Sequence, residues 1–160
     1  MAAVRPEQRI KELGVVLPTP PTPLGAYVQA VRCGNLVFLS GMLPVVERKP
    51  QFVGLIGEDL TVEDGRKAAA TATMNGLSTA KAFLGSLDRI TAIAKLGVYI
   101  ATEVDFREHA KVADGASELL EKIFGADKLS PRVVLGVASL PLGVPIEVEL
   151  ILEVENGSYQ

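Results

Sequence analysis

The sequence is poor in the residues that build metal, disulfide and nucleophile sites. Its 160 residues contain one cysteine, Cys33, and one histidine, His109. A single cysteine cannot form an intrachain disulfide, and a lone histidine without partners at ligand spacing does not make a metal site. We therefore expect His109 to occupy a solvated helix position, and we expect no metal or organic cofactor. Cys33 has no histidine near it in the sequence to activate it as a nucleophile.

Signals for phosphate, nucleic-acid and membrane binding are also missing. The sequence has no G-x-G-x-x-G, G-x-x-x-x-G-K or G-x-S-x-G motif, which argues against nucleotide binding and serine hydrolase chemistry. The net charge is −3 and the isoelectric point is near 5.2, which argues against nucleic acid as a partner. No segment reaches the apolar length of a membrane span, and residues 1–14 lack the apolar core of a signal peptide. We expect no membrane association and a cytoplasmic protein.

What is present fits a packed globular protein, with 48% hydrophobic and 22% charged residues. We expect one domain over residues 1–160, with a helix and a proline-rich arm at 1–23 and a core at 24–155. The sequence LPTPPTP at residues 17–23 predicts an extended, stiff segment. Too few residues precede it to form a domain of their own, so the arm is expected to lie along the body rather than to link two domains.

Hydrophobic periodicity and turn residues predict an α+β protein, with a mixed β-sheet and two long helices on one face. Thr61 and Gly85 are suited to the ends of the first long helix. Asp105 with Glu108 resembles a capping box for the second, which Gly125 would end. The predicted order is a helix at 6–13, a hairpin within 26–41, a loop at 47–60, a helix at 61–85, a strand at 92–101, a helix at 105–125 and two strands within 130–154.

Residues 130–154 raise the main functional question, because Arg132 begins an apolar strand that we expect to be buried. A buried guanidinium needs an anionic partner. In the last strand the glutamates lie on one face and the apolar residues on the other, by strand alternation. Two interpretations stay open. Arg132 forms a structural pair with Glu147 at a sheet edge, or it binds a ligand carboxylate through its planar fork while Glu147 holds a water molecule.

The same residues resemble the RidA family, also known as the YjgF or endoribonuclease L-PSP family. PRVVLGVASLPLGVPIEVE matches the family pattern of an arginine that opens a strand, a later Leu-Pro and V-x-[IV]-E-[VIM]-E. Three further stretches occur in the expected order, so the resemblance covers residues 24–154: GAYVQAVRCGNLVFLSGMLP (25–44), LGSLDRI (84–90) and DFREHAKVADGASELLEKIFG (105–125). The helix and proline-rich arm that precede them are similar to a sub-branch with an extended N-terminus.

The resemblance implies a chorismate-mutase-like fold and a homotrimer with a cleft at each subunit interface. It also implies hydrolysis of enamine or imine intermediates to 2-ketoacids and ammonia, and thus a small carboxylate-bearing partner. By position in the motifs, Arg132 would bind the substrate carboxylate and Glu147 would position the attacking water. The other residues that the resemblance places at the pocket are Tyr27, Ser40, Gly41, Asp114 and Val134.

Three departures from the family pattern keep other functions open. Met42 replaces the glutamine of S-G-Q, Asp114 replaces an asparagine, and Val134 replaces a cysteine. Asp114 would weaken carboxylate binding if it lies near the cleft. The second hypothesis is therefore a trimeric small-molecule-binding or regulatory protein without turnover. An endoribonuclease ranks last, because the sequence lacks a basic surface, aromatic-rich strands and a histidine pair.

Overall fold

The computed structural model describes residues 5–157 and contains three α-helices and seven strands in that part of the chain. Short 3-10 turns lie at Leu87–Arg89, Ala126–Lys128 and Pro141–Gly143. In chain order the main elements are α1 (Pro6–Glu12), β1 (Ala30–Cys33), β2 (Leu36–Leu39), β3 (Val45–Val46), β4 (Lys49–Pro50), α2 (Val62–Leu84), β5 (Ile90–Ala101), α3 (His109–Phe124), β6 (Arg132–Val137) and β7 (Ile146–Val154).

Five strands form one mixed sheet in the order β1-β2-β7-β5-β6. Its neighbouring strands are antiparallel except for β5 and β6, which are parallel and are joined through α3. Both long helices pack on the same face, which confirms the predicted α+β architecture. The sequence prediction missed a small hairpin, β3 with β4, whose first strand lies just before the segment predicted to be a loop and whose second strand lies within it.

Helix α2 begins and ends at the predicted residues. Thr61 and Asp64 form a complete capping box, and Gly85 ends the helix with a φ of 84°, a conformation that glycine adopts without strain. Small residues let this helix lie close to the sheet, because a Cβ at Gly76 would already contact Leu150 of β7 at 3.1 Å. The thin side of the helix that the alanines and threonines predict is therefore the side that packs on the sheet.

Helix α3 begins later than predicted, at His109 rather than Asp105. The backbone N–H of Asp105 bonds the Glu103 carboxylate at 3.0 Å, and the N–H of Phe106 bonds the Glu103 carbonyl at 3.3 Å. These bonds form a turn, so the predicted capping box of Asp105 and Glu108 is wrong, and Glu108 itself is the uncapped N-cap. Gly125 follows the last helical residue, as predicted.

The two faces of the sheet differ in how far other parts of the chain cover them. On β7 the predicted alternation is confirmed, with Ile146, Val148, Leu150, Leu152 and Val154 buried beneath the helices. The opposite face, which we call the open face, carries Glu147, Glu149 and Glu153 together with exposed apolar side chains of the outer strands. Val31 and Phe38 are 47% and 41% exposed at one side of it, and Val133 and Leu135 are 42% and 50% exposed at the other.

Strand β6 is therefore not the buried strand that its sequence predicts. It forms the edge of the sheet and pairs with β5 alone, so its apolar residues have no neighbouring strand on their outer side. An apolar run indicates burial in the functional state but does not distinguish burial within one chain from burial between copies.

The N-terminal arm lies against α2 and the start of β1. The Ser78 hydroxyl donates to the Pro18 carbonyl, and Gln29 Nε2 donates to the Pro21 carbonyl at 2.9 Å. Helix α1 is held at the end of α2, where the Glu7 carboxylate accepts from Lys81 at 2.7 Å and from the Leu87 N–H at 3.0 Å. None of the helices within residues 5–157 has the length and apolar character needed to cross a membrane.

Candidate functional site

The Glu147 carboxylate lies on the open face, fixed by the contact between β7 and the segment that follows β2. Met42 and Val148 exchange two backbone hydrogen bonds of 2.8 and 2.9 Å. This pairing presses the backbone of Gly41 against the Glu147 side chain so closely that a Cβ at position 41 would overlap its carboxylate oxygen. A side chain at position 41 would therefore displace the Glu147 carboxylate, and the backbone of Gly41 forms one wall beside it.

Glu147 is half-buried, and no side chain of opposite charge in the described part of the chain pairs with it. Burial raises the pKa of its carboxyl above the ordinary value, and the nearby Glu149 raises it further. Glu149 itself accepts a hydrogen bond from Tyr99 Oη at 2.9 Å, and this bond raises the pKa of the tyrosine. No donor within residues 5–157 bonds the Glu147 carboxylate, so it is free to bind a water molecule or a ligand.

Ser40, Gly41, Tyr27 and Glu147 line one cleft of about 1000 Å³. The Ser40 hydroxyl donates to Gln29 Oε1 at 2.7 Å, and the Tyr27 hydroxyl accepts from the Leu24 N–H at 3.0 Å. We call these four residues the glutamate half-site. The sequence prediction missed Gln29, although its position two residues after Tyr27 in the G-x-Y-x-Q motif was a signal for it.

Arg132 lies elsewhere and has a different partner from the one predicted. Its guanidinium donates to Asp114 Oδ1 at 2.7 Å, to Ser117 Oγ at 3.0 Å and to the Ala110 carbonyl at 3.4 Å, all on α3. The predicted structural pair of Arg132 with Glu147 is therefore wrong. Val134 lies on the same face of β6 and packs against the core beneath α3. We call Arg132, Asp114 and Val134 the arginine half-site.

The two half-sites lie on opposite faces of the sheet in one chain. Arg132 is paired with Leu96 and Glu147 with Tyr99, three residues further along β5, so their side chains point to opposite faces. Because β5 separates β6 from β7, the backbones lie roughly 10 Å apart, and three residues along the strands add about 10 Å more. One small ligand cannot contact both side chains of the same chain.

The remaining candidate residues do not form a site. His109 is half-buried rather than solvated, and its ring packs edge-on against Phe106 with centroids 5.1 Å apart. Cys33 is exposed at the turn between β1 and β2. Within residues 5–157 no group of histidine, cysteine, aspartate and glutamate side chains is arranged to hold a metal ion.

Comparison with known proteins identifies the class to which this fold and these residues belong. A family model described as "YjgF/chorismate_mutase-like, putative endoribonuclease" matches residues 7–154. The chain therefore belongs to the YjgF/chorismate-mutase-like family, as its C-terminal motif indicates. The match begins within α1, so the N-terminal helix and the proline-rich arm are part of the family pattern.

Particular relatives carry several names. The chain is 34% identical over 157 residues to Protein TCP17 of Trypanosoma cruzi, and the match covers 98% of both chains. It is 30% identical over 139 residues to a 2-iminobutanoate/2-iminopropanoate deaminase of Dermatophagoides farinae, with 86% of this chain and 93% of the relative covered.

Solved structures of two degrees of similarity share the fold. The protein Atu1372 of Agrobacterium tumefaciens, described as of unknown function, has a TM-score of 0.86 at 35% identity over 94% of this chain and 92% of its own. The E. coli protein TdcF, solved with bound serine, has a TM-score of 0.58 at 25% identity over 85% of this chain and 94% of its own.

Proposed function

We propose that the protein hydrolyses 2-imino acids to 2-ketoacids and ammonia. The observation that supports this most directly is the Glu147 carboxylate, which is half-buried in a cleft, held against Gly41 and free of any donor among the described residues. The deaminase of Dermatophagoides farinae, at 30% identity, supports the same reaction class.

In this proposal Glu147 positions and activates the water. The water oxygen attacks the imine carbon of R–C(=NH)–COO⁻, and Glu147 accepts a proton from the water as the C–O bond forms. Glu147 passes that proton to the nitrogen, and the proton of the new hydroxyl group follows it. The C–N bond then breaks, and ammonia leaves as the C=O bond of the 2-ketoacid forms. The raised pKa of Glu147 makes the carboxylate a better proton acceptor than an ordinary glutamate, which suits a general base.

Binding of the carboxylate is assigned to Arg132 of a neighbouring copy. The guanidinium is a planar fork suited to bidentate carboxylate binding, but it cannot reach Glu147 of its own chain. We infer a homotrimer in which the arginine half-site of one subunit meets the glutamate half-site of the next. The exposed apolar side chains of the open face, Val31, Phe38, Val133 and Leu135, support this assembly because a monomer would leave them in water.

A second candidate function keeps the pocket without turnover. Its support is the ion pair of Arg132 with Asp114, because an incoming carboxylate must displace or share this contact. Such a protein would bind a small carboxylate and report or buffer its concentration. Endoribonuclease activity, which the family description names, is not proposed, because a net charge of −3 argues against phosphate binding.

A coupled assay separates the two candidates. A D-amino-acid oxidase generates the 2-imino acid in place. Because this product has no stereocentre at C2, a D-amino acid and its L-enantiomer give the same imine, and semicarbazide traps the imine that survives. A deaminase lowers the trapped imine in proportion to protein concentration. If the trapped imine is unchanged for every amino acid while calorimetry detects 2-ketoacid binding, the protein is a binding protein and the hydrolase proposal is wrong.

A further inference from the structure

We propose that the proline-rich arm, the β3–β4 hairpin and Leu142 form a pocket for a large apolar side chain on the substrate. This inference rests on the proposed function, since it names the substrate class of the same cleft. The cleft that begins at Glu147 extends past Gly41 to these three segments, and its volume is about 1000 Å³. Pockets for drug-sized ligands measure about 300–1,000 Å³. The volume of this cleft is that of a single subunit and includes the space beside Glu147 that the neighbouring copy's Arg132 enters in the proposed trimer, so the lining of the distal part rather than the volume indicates the substrate.

The residues that line the distal part of the cleft indicate which kind of ligand group would bind there. Prolines of the arm, Leu43, Val45 and Leu142 contribute apolar surface. Among residues 5–157 the charged side chains that line the cleft besides Glu147 are Glu47 and Arg48. Both of these are exposed at the rim, at the tip of the hairpin. Between Glu147 and this rim a charged group in the ligand would find no ionic partner, whereas a branched or aromatic side chain would be removed from water.

Residues with strained backbone conformations line the same cleft. Within residues 5–157 the only non-glycine residues with positive φ are Glu47 (50°), Arg48 (67°) and Leu142 (60°), and all three line this cleft. Glu47 and Arg48 occupy a hairpin turn in which Asn-Gly would be favoured, and Leu142 occupies a position in which glycine would be unstrained. Side chains kept at a cost in backbone energy are typical of ligand sites.

A chain of hydrogen bonds connects the arm to the glutamate half-site. Ser40 donates to Gln29 at 2.7 Å, and Gln29 donates to the Pro21 carbonyl at 2.9 Å. On the other side, the Leu24 N–H donates to the Tyr27 hydroxyl at 3.0 Å. Through Gln29 and Leu24 the arm is thus connected to Ser40 and Tyr27 of the half-site, which makes it a wall of the cleft rather than a separate extension.

The experiment measures substrate selectivity in the full-length protein. D-alanine, D-leucine and D-phenylalanine are oxidised in separate assays, and kcat/KM for imine hydrolysis is compared across them. We expect values about ten- to hundredfold higher for the imines of leucine and phenylalanine than for that of alanine, since each buried methylene adds selectivity. In the same protein, calorimetry compares pyruvate, 4-methyl-2-oxopentanoate and 2-oxoglutarate, and the second should bind most tightly.

The variant Leu142→Gly removes an apolar side chain from the pocket and at the same time relieves the positive φ. It should therefore fold at least as well as wild type while losing most of the preference for the leucine imine over the alanine imine. Leu129→Ala is the matched control, because Leu129 is 53% exposed against 50% for Leu142 but does not line the cleft. The control should keep the preference.

The possible outcomes test the apolar-pocket proposal and the deaminase proposal separately. If all imines are hydrolysed at similar rates, or if 2-oxoglutarate binds best, the apolar pocket is wrong and the deaminase proposal stands. If no imine is hydrolysed, the deaminase proposal is wrong, and the 2-ketoacid titrations alone decide the pocket. Equal binding of pyruvate and 4-methyl-2-oxopentanoate, or an unchanged preference in Leu142→Gly, overturns it in either case.

Discussion

The two half-sites hold their charged residues in opposite ways. Arg132 has three hydrogen-bond acceptors on α3, among them the Asp114 carboxylate. Glu147 has no donor among the described residues and sits beside a second carboxylate, Glu149, which helps to raise its pKa. The cation is satisfied within its own chain, while the anion is kept in an unfavourable environment by the packing of β2 against β7.

This difference favours Glu147 over Arg132 as the reacting group of the proposed hydrolase. A group held unpaired and partly desolvated costs stability, and such groups are typical of sites where the cost serves a reaction. A paired arginine is typical of a binding residue that exchanges one carboxylate for another. The contrast supports the proposal that Glu147 takes part in the reaction and that Arg132 recognises the ligand carboxylate.

The largest effect is expected when the two half-sites are inactivated in different subunits. Arg132→Ala and Glu147→Gln proteins should each be inactive, yet mixed oligomers made by co-expression with two affinity tags should recover imine hydrolysis. Random mixing in a trimer leaves roughly a quarter of the interfaces with both residues intact. The control mixes Arg132→Ala with the double variant, which should recover nothing. Inactive mixed oligomers would mean that both residues do not act across an interface.

Loss of the reactive carboxylate alone should have the next largest effect. Glu147→Gln keeps the shape of the side chain but cannot accept the proton of water, so kcat should fall by about 10²–10⁴. Ligand binding should change little, which calorimetry with a 2-ketoacid measures. Glu155→Gln, a change at an exposed glutamate just after β7, is the control and should leave kcat unchanged. A Glu147→Gln protein with wild-type kcat would contradict the assignment of reaction to Glu147.

Loss of the guanidinium should affect binding more than folding. Arg132→Ala should cost roughly 2–5 kcal/mol of 2-ketoacid binding. The ion pair of Arg132 with Asp114 is partly exposed, with 27% and 42% of the two side chains accessible. The free energy of unfolding should therefore fall by only about 1 kcal/mol or less. Calorimetry and thermal unfolding measure the two effects. Arg132→Lys, which keeps the charge without the fork, should retain part of the binding. A large stability loss with no change in binding would make Arg132 structural.

How much of this could be read from the sequence differs between the two half-sites. The alternation of β7 and the helix ends at Thr61 and Gly85 follow from local periodicity and capping, and both were predicted. The partner of Arg132 was not, because the pairing of β6 with β5 and the packing of α3 bring Asp114 to it from 18 positions away. The apolar run of β6 led to the wrong prediction of a buried strand. The sequence alone does not distinguish burial beneath a helix of the same chain from burial against another copy.

The missed hairpin has a similar physical explanation. Its turn uses Glu47 and Arg48 at positive φ, where local propensity predicts Asn and Gly. Local rules fail at this turn because the residues that adopt it are poorly suited to it, and the turn lies at the rim of the cleft. The clash between Gly41 and any larger residue is likewise invisible in sequence, because it depends on the register of Met42 with Val148.

A smaller effect is expected from the aspartate that replaces the family's usual asparagine. Asp114→Asn keeps an oxygen for Arg132 but removes the competing negative charge, so a 2-ketoacid should bind about fivefold more tightly, or about 1 kcal/mol. Calorimetry measures this, and Asp127→Asn at an exposed position on the other side of Gly125 serves as the control. Weaker binding in Asp114→Asn would show that the carboxylate assists recognition rather than competing with it.

The smallest expected effect is the pH dependence of stability that the raised pKa of Glu147 produces. Its folded pKa lies above the ordinary 4.5, because of burial first and of Glu149 second, so the folded state binds this proton more tightly than the unfolded chain does. The stabilising contribution is therefore fully present below pH 4.5 and is lost as the pH rises through the folded pKa. The Glu147→Gln protein does not lose stability in this way. Its melting temperature should therefore rise relative to that of wild type as the pH increases from about 4 to about 8. Glu149→Gln should reduce the gain but not remove it, because burial is the larger cause. Thermal unfolding of the three proteins across this range measures the differences, and a gap between wild type and Glu147→Gln that shrinks with rising pH would mean that the carboxylate is stabilised as an anion, contrary to the environment described for the glutamate half-site.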